Sequence, residues 1–369
     1  MVPDDIDVRP VELKLGRCVY PYGKDLMHMC RRKTLLLSDS IDDIQKAAAL
    51  LRTGELVAIP TETVYGLAAD AENGTAVARI FEAKGRPADN PLIVHIADWN
   101  MLSGLVSTVP ETAQKLARAF WPGPLTMIFF KGPRVPDEVS AGLSTVAVRM
   151  PSHPVARSLI RESGCPLAAP SANLSGSPSP TTAAHVLADL DGRIAAVVDG
   201  GTCAVGVEST VLLMTEGSPR LLRPGGVTVD MLERVVGHIE IDPAVTHMLA
   251  DGETAASPGM KYKHYAPKTQ VILVKGTPEA YVDYVNSRID KGIAALCFDE
   301  DRPKLRVPCI AYGSRRDPAS QAKRLFEALR ELDCLGYRIA YAACPEEDGI
   351  GLAVYNRLLR AAGFEVVEL

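Results

Sequence analysis

The stretch Pro60–Leu67 reads PTETVYGL and follows the apolar run Leu56–Ile59. A short apolar run that ends in a proline, followed by threonines, a glutamate, a tyrosine and a glycine, predicts a buried strand that delivers polar side chains to a turn. A sheet presents a binding site in this way. The alternative interpretation, an ordinary strand followed by a loop, stays open until the rest of the chain is considered.

Helices and apolar strands alternate on both sides of this stretch. Ser40 precedes a segment with apolar residues at helical spacing, which predicts a helix that Gly54 ends. Further strands are predicted over residues 90–96, 126–130, 146–150, 167–169, 195–198, 209–213 and 220–222. Further helices are predicted over residues 75–85, 111–120, 155–163, 182–190 and 229–236. The alternation predicts a mixed α/β domain with a twisted sheet.

The last hundred residues repeat the alternation with five more apolar runs and three helices, which predicts a smaller doubly wound sheet of mostly parallel strands. Between the two domains, periodicity fades, and the segment closes with SPGMKYKHYAPK. Tyrosines, lysines and a histidine favour a lid over a simple spacer. We divide the chain into an N-terminal extension, a first α/β domain, a linker or lid, and a C-terminal Rossmann-like α/β domain, over residues 1–37, 38–238, 239–268 and 269–369.

Composition excludes several classes of protein. The 369 residues include 47% hydrophobic and 23% charged residues, which is typical of a globular chain, and the net charge of −5 argues against bulk attraction to nucleic acid or membrane. The eight cysteines form no CxxC pair, so we expect neither a zinc site nor a disulfide framework. With no apolar run of membrane-spanning length and an acidic N-terminus, we expect a cytoplasmic protein without membrane contact.

The candidate site residues are cations, hydroxyls, amides and one histidine at the ends of apolar strands. Arg149 lies inside an apolar strand, and a buried guanidinium needs a partner, so it indicates either an anionic ligand or a structural ion pair. No GxSxG elbow, HExxH motif, Walker loop or carboxylate cluster is present. The residues therefore predict a site for a phosphorylated or otherwise anionic small molecule, where catalysis is mainly positioning and charge neutralisation.

Eight ordered motifs of the first domain closely resemble the YrdC-like domain of threonylcarbamoyl-AMP synthases. They are PTETVYGL at 60–67, KGRP at 84–87, NPLIVHI at 90–96, WPGPLT at 121–126, VAVRMP at 146–151, APSAN at 169–173, GVEST at 206–210 and LLRPG at 221–225. SPGMKYKHYAP followed by an α/β domain is similar to the long, two-domain form of that family. The resemblance begins near residue 38 and reaches the C-terminus.

The resemblance implies a nucleotidyltransferase. L-threonine and bicarbonate or CO₂ would form N-carboxythreonine, whose carboxylate attacks the α-phosphorus of ATP to give threonylcarbamoyl-AMP and pyrophosphate. Mg²⁺ is expected with ATP and no metal tightly bound by protein ligands. A downstream threonylcarbamoyl transferase would place the group on the adenosine beside the anticodon of tRNA, and transient tRNA contact with this chain is left open.

The resemblance also implies roles for individual residues. Those matching the signature tetrad, expected to be catalytic, are Lys84, Arg86, Ser171 and Asn173. Arg86 and Ser171 are also expected to contact the nucleotide. The other residues that match nucleotide contacts of the family are Asn90, Thr145, Ser179, Arg223 and the linker residue Tyr262. The threonine pocket is matched by Thr63, His95, Arg149, Ala169 and Ser209. Three residues of the same motifs are assigned to the pocket wall, namely Thr61, Tyr65 and Thr126.

Two alternatives belong to other classes. An RNA-binding module of translation without adenylate synthesis would need stacking aromatics among its basic residues, and aromatics make up only 5% of the chain. A carbamoyl-AMP-forming relative would resemble the hydrogenase-maturation carbamoyltransferases. Those proteins carry zinc-finger and acylphosphatase-like segments, and neither is visible in this sequence.

Overall fold

The computed structural model describes residues 33–215, 217–247, 265–288, 290 and 292–369. In the first domain the strands are β1 (Leu35–Leu37), β2 (Val57–Ile59), β3 (Gly66–Asp70), β4 (Ile93–His95), β5 (Leu125–Phe130), β6 (Thr145–Arg149), β7 (Leu167–Ala168), β8 (Ala196–Val198), β9 (Thr210–Leu213), β10 (Arg220–Arg223) and β11 (Glu240–Ile241). They form one mixed sheet in the order β1-β8-β2-β3-β7-β4-β6-β5-β9-β10-β11.

The helices of the first domain are α1 (Ile41–Arg52), α2 (Gly74–Lys84), α3 (Glu111–Phe120), α4 (Asp137–Ser140), α5 (Pro154–Ser163), α6 (Ala183–Leu190) and α7 (Val229–Val236). Ser40 caps α1 as predicted, because its hydroxyl accepts a hydrogen bond from the backbone N–H of Asp43. The predicted α/β class of this domain is confirmed. Among its helices, α1 packs against α5, and α3 packs against α7.

The run Leu56–Ile59 is apolar at every position because it contributes to cores on both faces of the sheet. Ala58 packs in the larger core, whereas Val57 and Ile59, which point the other way along β2, pack in a second core with α1 and α5 residues. Alternation of side chains along a strand produces this division. PTETVYGL then forms the connection to β3, which pairs with β2 in antiparallel fashion.

Several short elements were not predicted, among them β1, β3, α4 and β11. The run Leu35–Leu37, assigned above to the N-terminal extension, forms the edge strand β1 and pairs in parallel with β8. Its three residues are too few to show a strand period, and the pairing partner lies far away in sequence. The two-residue strand β11 and a 3₁₀ turn over Pro243–Val245 lie in the segment expected to lack secondary structure.

The second domain has the predicted doubly wound design. Its strands are β12 (Gln270–Lys275), β13 (Ile293–Cys297), β14 (Cys309–Ala311), β15 (Ile339–Ala343) and β16 (Val366–Glu368), and its helices are α8 (Pro278–Asn286), α9 (Pro318–Leu335) and α10 (Gly351–Ala361). All strand pairs are parallel, in the order β14-β13-β15-β12-β16.

The second domain docks directly on motifs of the first. Its hydrophobic core includes Val64 of PTETVYGL and Val207 of GVEST. Gly206 lies so close to α9 that a Cβ at this position would be 2.4 Å from the Cα of Lys323. The two domains therefore share a packed interface beside the motifs that the sequence singled out.

Candidate functional site

A cleft lies beside this interface, with about 600 Å³ of empty space when the solvent open to it is included. Nine of the predicted site residues line it, namely Thr61, Thr63, Arg86, His95, Arg149, Ala169, Ser171, Ser209 and Arg223. The remaining walls come from Val64, Gly66, Ile93, Pro170, Glu208 and Tyr265. Motifs scattered over more than 150 residues thus meet at one place.

The hydroxyl of Thr61 shapes the wall by holding its own turn. It donates to the carbonyl of Val64 at 2.6 Å and accepts from the backbone N–H of Val64 at 3.2 Å. The Oγ1 atoms of Thr61 and Thr63 are 2.8 Å apart. A threonine that closes a local turn in this way fixes the backbone while presenting the second hydroxyl to the cleft.

Arg149 has an ion-pair partner within the chain. Its Nη2 lies 2.7 Å from Oε1 of Glu62, with the two side chains 4% and 9% exposed. Nη1 donates to Oγ1 of Thr63 at 2.9 Å, and Nε donates to the carbonyl of Gly123 at 3.3 Å. Burial raises the pKa of Glu62, but the charge of Arg149, its hydrogen bond and nearby backbone N–H groups together outweigh burial, so the pKa is below its ordinary value. Glu62 was not predicted, and it makes Arg149 part of a structural ion pair at the cleft.

The imidazole of His95 is neutral near pH 7. Burial and the neighbouring charge of Arg149 lower its pKa to about 3. Its Nδ1 lies 3.2 Å from the carbonyl of Ile93, so the tautomer with a proton on Nδ1 can donate there. Nε2 then keeps a lone pair for a hydroxyl donor.

Lys84 organises the loop that carries Ser171 and Asn173. Its Nζ donates to the carbonyls of Ser171 and Asn173 at 2.5 and 2.6 Å. Oγ of Ser171 donates to Oδ1 of Asn173 at 2.5 Å. Burial, followed by the charge of Arg86, lowers the pKa of Lys84. The predicted tetrad is therefore gathered at one site, with the lysine fixing the loop backbone.

Arg86 enters the same space with unused hydrogen-bonding capacity. Nη2 donates to the carbonyls of Asn90 and Pro91 at 3.3 and 3.4 Å, which are long contacts. Among the described residues, Nε of Arg86 and Oδ1 of the buried Asn90 have no hydrogen-bond partner. Burial lowers the pKa of Arg86 to about 10, so it remains a cation at neutral pH. Unsatisfied polar atoms beside a cleft point to a polar ligand.

A second group of hydroxyls is arranged around Ser209. Its Oγ lies 2.7 Å from Oγ1 of Thr126 and accepts from Nη2 of Arg223 at 3.2 Å. Nε of Arg223 also donates to the Ser209 carbonyl at 3.1 Å. Thr126 therefore supports the cleft from behind Ser209.

Two further cleft residues, Glu208 and Tyr265, were missed by the sequence analysis. The carboxylate of Glu208 accepts hydrogen bonds from the predicted nucleotide contact Ser179 and from Arg357 of α10. Tyr265, in the KYKHYAP motif, has a φ of 63° and is buried against Phe326, with ring centroids 5.3 Å apart. A non-glycine residue in this left-handed backbone conformation destabilises the fold by about 1 kcal/mol or more. Such strained conformations are common at functional sites.

Two predicted site residues, Tyr65 and Thr145, lie away from the cleft. Five others pack around it without lining it themselves, namely Lys84, Asn90, Thr126, Asn173 and Ser179. Tyr65, expected in the pocket wall, does not line the cleft, because its hydroxyl donates to the carbonyl of Gly201 at 2.8 Å and accepts from the N–H of Gly200 at 3.1 Å. Thr145 begins β6, four residues before Arg149, and also lies outside the cleft lining. Tyr262 lies outside the described residues.

Within the described part of the chain, no group of three or more His, Cys, Asp or Glu side chains could hold a metal ion. Nor does any helix in the same ranges have the length and apolar character needed to cross a bilayer.

Both domains match families of known proteins. A family model described as "Telomere recombination" matches residues 49–225, and one described as "Threonylcarbamoyl-AMP synthase, C-terminal domain" matches residues 227–363. Threonylcarbamoyl-AMP synthases of Pyrococcus abyssi and Bacillus subtilis are 49% and 48% identical to this chain, over 88% and 90% of it and 96% of each relative.

Solved structures agree with these matches. The crystal structure of P. abyssi Sua5 complexed with L-threonine has a TM-score of 0.84 and 45% identity, and the match covers 91% of this chain and 99% of that one. A variant of the same protein has a TM-score of 0.86 and 44% identity. The fold, both domain matches and the curated relatives agree, and the chain belongs to the threonylcarbamoyl-AMP synthases, an enzyme family, in its two-domain form.

Proposed function

We propose that this chain synthesises L-threonylcarbamoyl-AMP from L-threonine, bicarbonate or CO₂, and ATP. The observation that carries the proposal is the cleft, where three guanidiniums, those of Arg86, Arg149 and Arg223, converge with hydroxyls and a neutral histidine. Such a site binds two anions, a carboxylate and a phosphate chain, without needing a protein nucleophile.

The threonine end would be formed around Arg149. Its planar guanidinium suits the amino-acid carboxylate, and Nε2 of the neutral His95 can accept a hydrogen bond from the substrate hydroxyl. The ion pair with Glu62 would hold the guanidinium in place before the substrate arrives. The complex of P. abyssi Sua5 with L-threonine supports this choice of amino acid.

The reaction is a displacement at phosphorus. The threonine amine adds to CO₂ and loses a proton, which gives a carbamate. A carbamate oxygen then attacks the α-phosphorus of ATP, and the bond to the pyrophosphate leaving group breaks. Arg86, Ser171 and Arg223 would neutralise and orient the phosphates, and enclosure would protect the carbamate and the mixed anhydride from water.

Magnesium would accompany ATP on its phosphate oxygens. Glu208, the carboxylate that lines the cleft, already accepts hydrogen bonds from Ser179 and Arg357, so protein oxygens would contribute few ligands. The adenylate would be consumed by a threonylcarbamoyl transferase that modifies tRNA beside the anticodon.

The test is incubation of the full chain with ATP, magnesium, L-threonine and bicarbonate, followed by mass analysis for threonylcarbamoyl-AMP. We expect this product together with pyrophosphate, and we expect neither when threonine or bicarbonate is omitted. L-valine, which replaces the hydroxyl by a methyl group, is the matched control and should be a poor substrate, because the polar pocket would be left unpaired. Absence of the product in the complete mixture would overturn the proposal.

A further inference from the structure

Helix α10 of the second domain carries a buried polar stripe that reaches the first domain and the start of the linker. Asn356 donates to the carbonyl of Val245 at 2.6 Å, and Arg360 donates to the carbonyl of Ala244 at 2.8 Å. Between them, Arg357 is completely buried. A buried arginine is costly unless it is fully paired, so its partners reveal what it is fixed to.

Arg357 is fixed to a wall of the cleft. Nε donates to Oε2 of Glu208 at 2.8 Å, and Nη1 donates to the carbonyl of Pro224 at 2.9 Å. Nη2 makes a longer contact of 3.4 Å with the carbonyl of Glu208. The other carboxylate oxygen of Glu208 accepts the hydroxyl hydrogen of Ser179. One chain of contacts therefore runs from Arg357 through Glu208 to Ser179.

This chain determines which hydrogen bonds Ser179 can make. Burial raises the pKa of Glu208, but the charges of Arg357 and Arg223 and the hydrogen bond from Ser179 outweigh it and lower the pKa. An ionised carboxylate is only an acceptor, so the hydroxyl of Ser179 must donate to it. Ser179 is itself buried and does not line the cleft. The nucleotide contact that the family resemblance predicts for it would use its remaining lone pairs, with a ribose hydroxyl or an exocyclic amino group as the donor.

We propose that Arg357 is a positioning residue for the nucleotide, acting through Glu208 and Ser179, so that the second domain completes the ATP end of the cleft. The proposal rests on the proposed function for the identity of the nucleotide. It gives the second domain a role in substrate binding that its own strands and helices do not reveal. Threonine, held at the Arg149 end, should depend far less on this contact.

A matched control exists at the same interface. Arg330 of α9 is also buried and pairs with Asp189 of the first domain at 2.8 and 3.1 Å, yet neither side chain lines the cleft. Arg330 also donates to the carbonyl of Pro178, next to Ser179, at 2.5 Å, so the control replaces Asp189 instead. D189N removes a comparable ion pair between the domains and keeps Arg330, its contact with Pro178, and Glu208. R357M and D189N thus separate loss of docking from loss of nucleotide positioning.

The experiment uses the full-length protein with R357M, R357K, S179A, D189N and the double variant S179A/R357M. Calorimetry measures binding of a non-hydrolysable ATP analogue and, separately, of L-threonine, and melting temperatures are recorded in parallel. We expect R357M to weaken analogue binding about tenfold, the size expected for a lost charged hydrogen bond, and threonine binding by less than twofold. R357K, which keeps the charge, should lie between R357M and the unmodified protein.

Two results would specifically support the chain of contacts from Arg357 through Glu208 to Ser179. D189N should leave analogue binding within about twofold whatever its melting temperature. S179A/R357M should bind no more weakly than the weaker single variant, because residues in one chain of contacts are not additive. Additive losses, or equal losses in D189N and R357M, would overturn the inference. If R357M does not fold, R357K replaces it in the same cycle.

The design also separates this inference from the proposed function. Analogue binding by the unmodified protein without formation of threonylcarbamoyl-AMP would overturn the proposed reaction, and the variants would still decide the role of Arg357. Failure of the unmodified protein to bind the analogue would overturn both.

Discussion

Among the described residues, the two domains differ in where buried polar atoms are left unpaired. Gln321 and Arg330 of the second domain retain such atoms away from the cleft, whereas Arg86 of the first domain retains one at it. In the second domain, the hydroxyl of Tyr312 donates to the carbonyl of Ala343 at 2.7 Å, and Arg315 pairs with the buried Asp301 at 2.6 and 2.9 Å. In the first domain, Arg86 and Asn90 retain atoms without a hydrogen-bond partner among the described residues. Both domains are α/β sheets, so fold class alone does not determine where chemistry occurs.

This difference gives a physical criterion for recognising a binding site. Buried polar atoms are normally satisfied, and leaving one unpaired costs about 1–3 kcal/mol. Polar groups that are paired within the chain stabilise the fold, whereas a cation that is incompletely paired beside a cleft stays available for a ligand. The second domain contributes to the site at its edge, through arginines directed towards the first domain.

The largest expected effect comes from removing one arginine in each domain. R149M should lower kcat/KM for threonine by about 100-fold or more, because the carboxylate partner is lost and Glu62 is left buried without its ion pair. Pyrophosphate release measures the rate. R315M leaves the buried Asp301 without its partner, which is itself 26% exposed, and should lower the free energy of unfolding by about 3 kcal/mol while leaving both KM values unchanged. Equal losses of activity in the two variants would contradict the comparison.

The next effect concerns the interface between the domains. G206A should lower the free energy of unfolding by about 3 kcal/mol, since the residue has φ of 85° and its Cβ would overlap Lys323 and the carbonyl of Ala322. G201A is the control, because φ is 81° but no heavy atom lies within 4 Å of its Cβ.

We expect G201A to cost only about 1 kcal/mol, the conformational part alone. Urea unfolding of both variants measures the difference. If G206A were no worse than G201A, close packing of α9 on the GVEST motif would not contribute to stability.

A smaller effect should appear as a dependence of stability on pH. His95 has its pKa lowered to about 3 in the folded chain, against an ordinary value near 6.5. Between these values the unfolded chain binds the proton and the folded chain does not, so His95 should make stability fall by about 1.4 kcal/mol per unit as the pH decreases from 6 to 4. H95Q should show a shallower fall in urea titrations. His185, with a pKa lowered to about 4, adds a similar slope that both proteins share.

The regular elements of the fold could be predicted from the sequence because their apolar residues recur at strand or helix spacing. α3 and α7 have the predicted bounds. The order of strands could not be predicted, since β3 lies between β2 and β7 through pairings that local pattern does not encode. β1 was missed because three leucines carry no period.

Some residues of the candidate site could likewise be predicted from the sequence, and others could not. Residues inside the recognised motifs, such as Arg86 and Ser171, do converge on the cleft. Glu208 and Arg357 were missed because each is an unremarkable charged residue until folding brings them together across 149 positions. Glu62 was overlooked although it stands between two chosen threonines. Its neighbour Arg149 was known to need a partner, which was the signal that could have found it.

The smallest expected effect tests whether the Tyr65 hydroxyl stabilises the fold or contributes to substrate binding. Y65F removes a hydroxyl that holds the Gly200–Gly201 turn, so it should lower the free energy of unfolding by about 1–2 kcal/mol and leave the KM for threonine and ATP within twofold. Y312F, which removes a buried hydroxyl in the second domain, is the matched control and should behave alike. Urea unfolding and pyrophosphate release measure the two properties. A rise in the KM of Y65F alone would return Tyr65 to the pocket wall, because a purely structural hydroxyl affects folding and not substrate affinity.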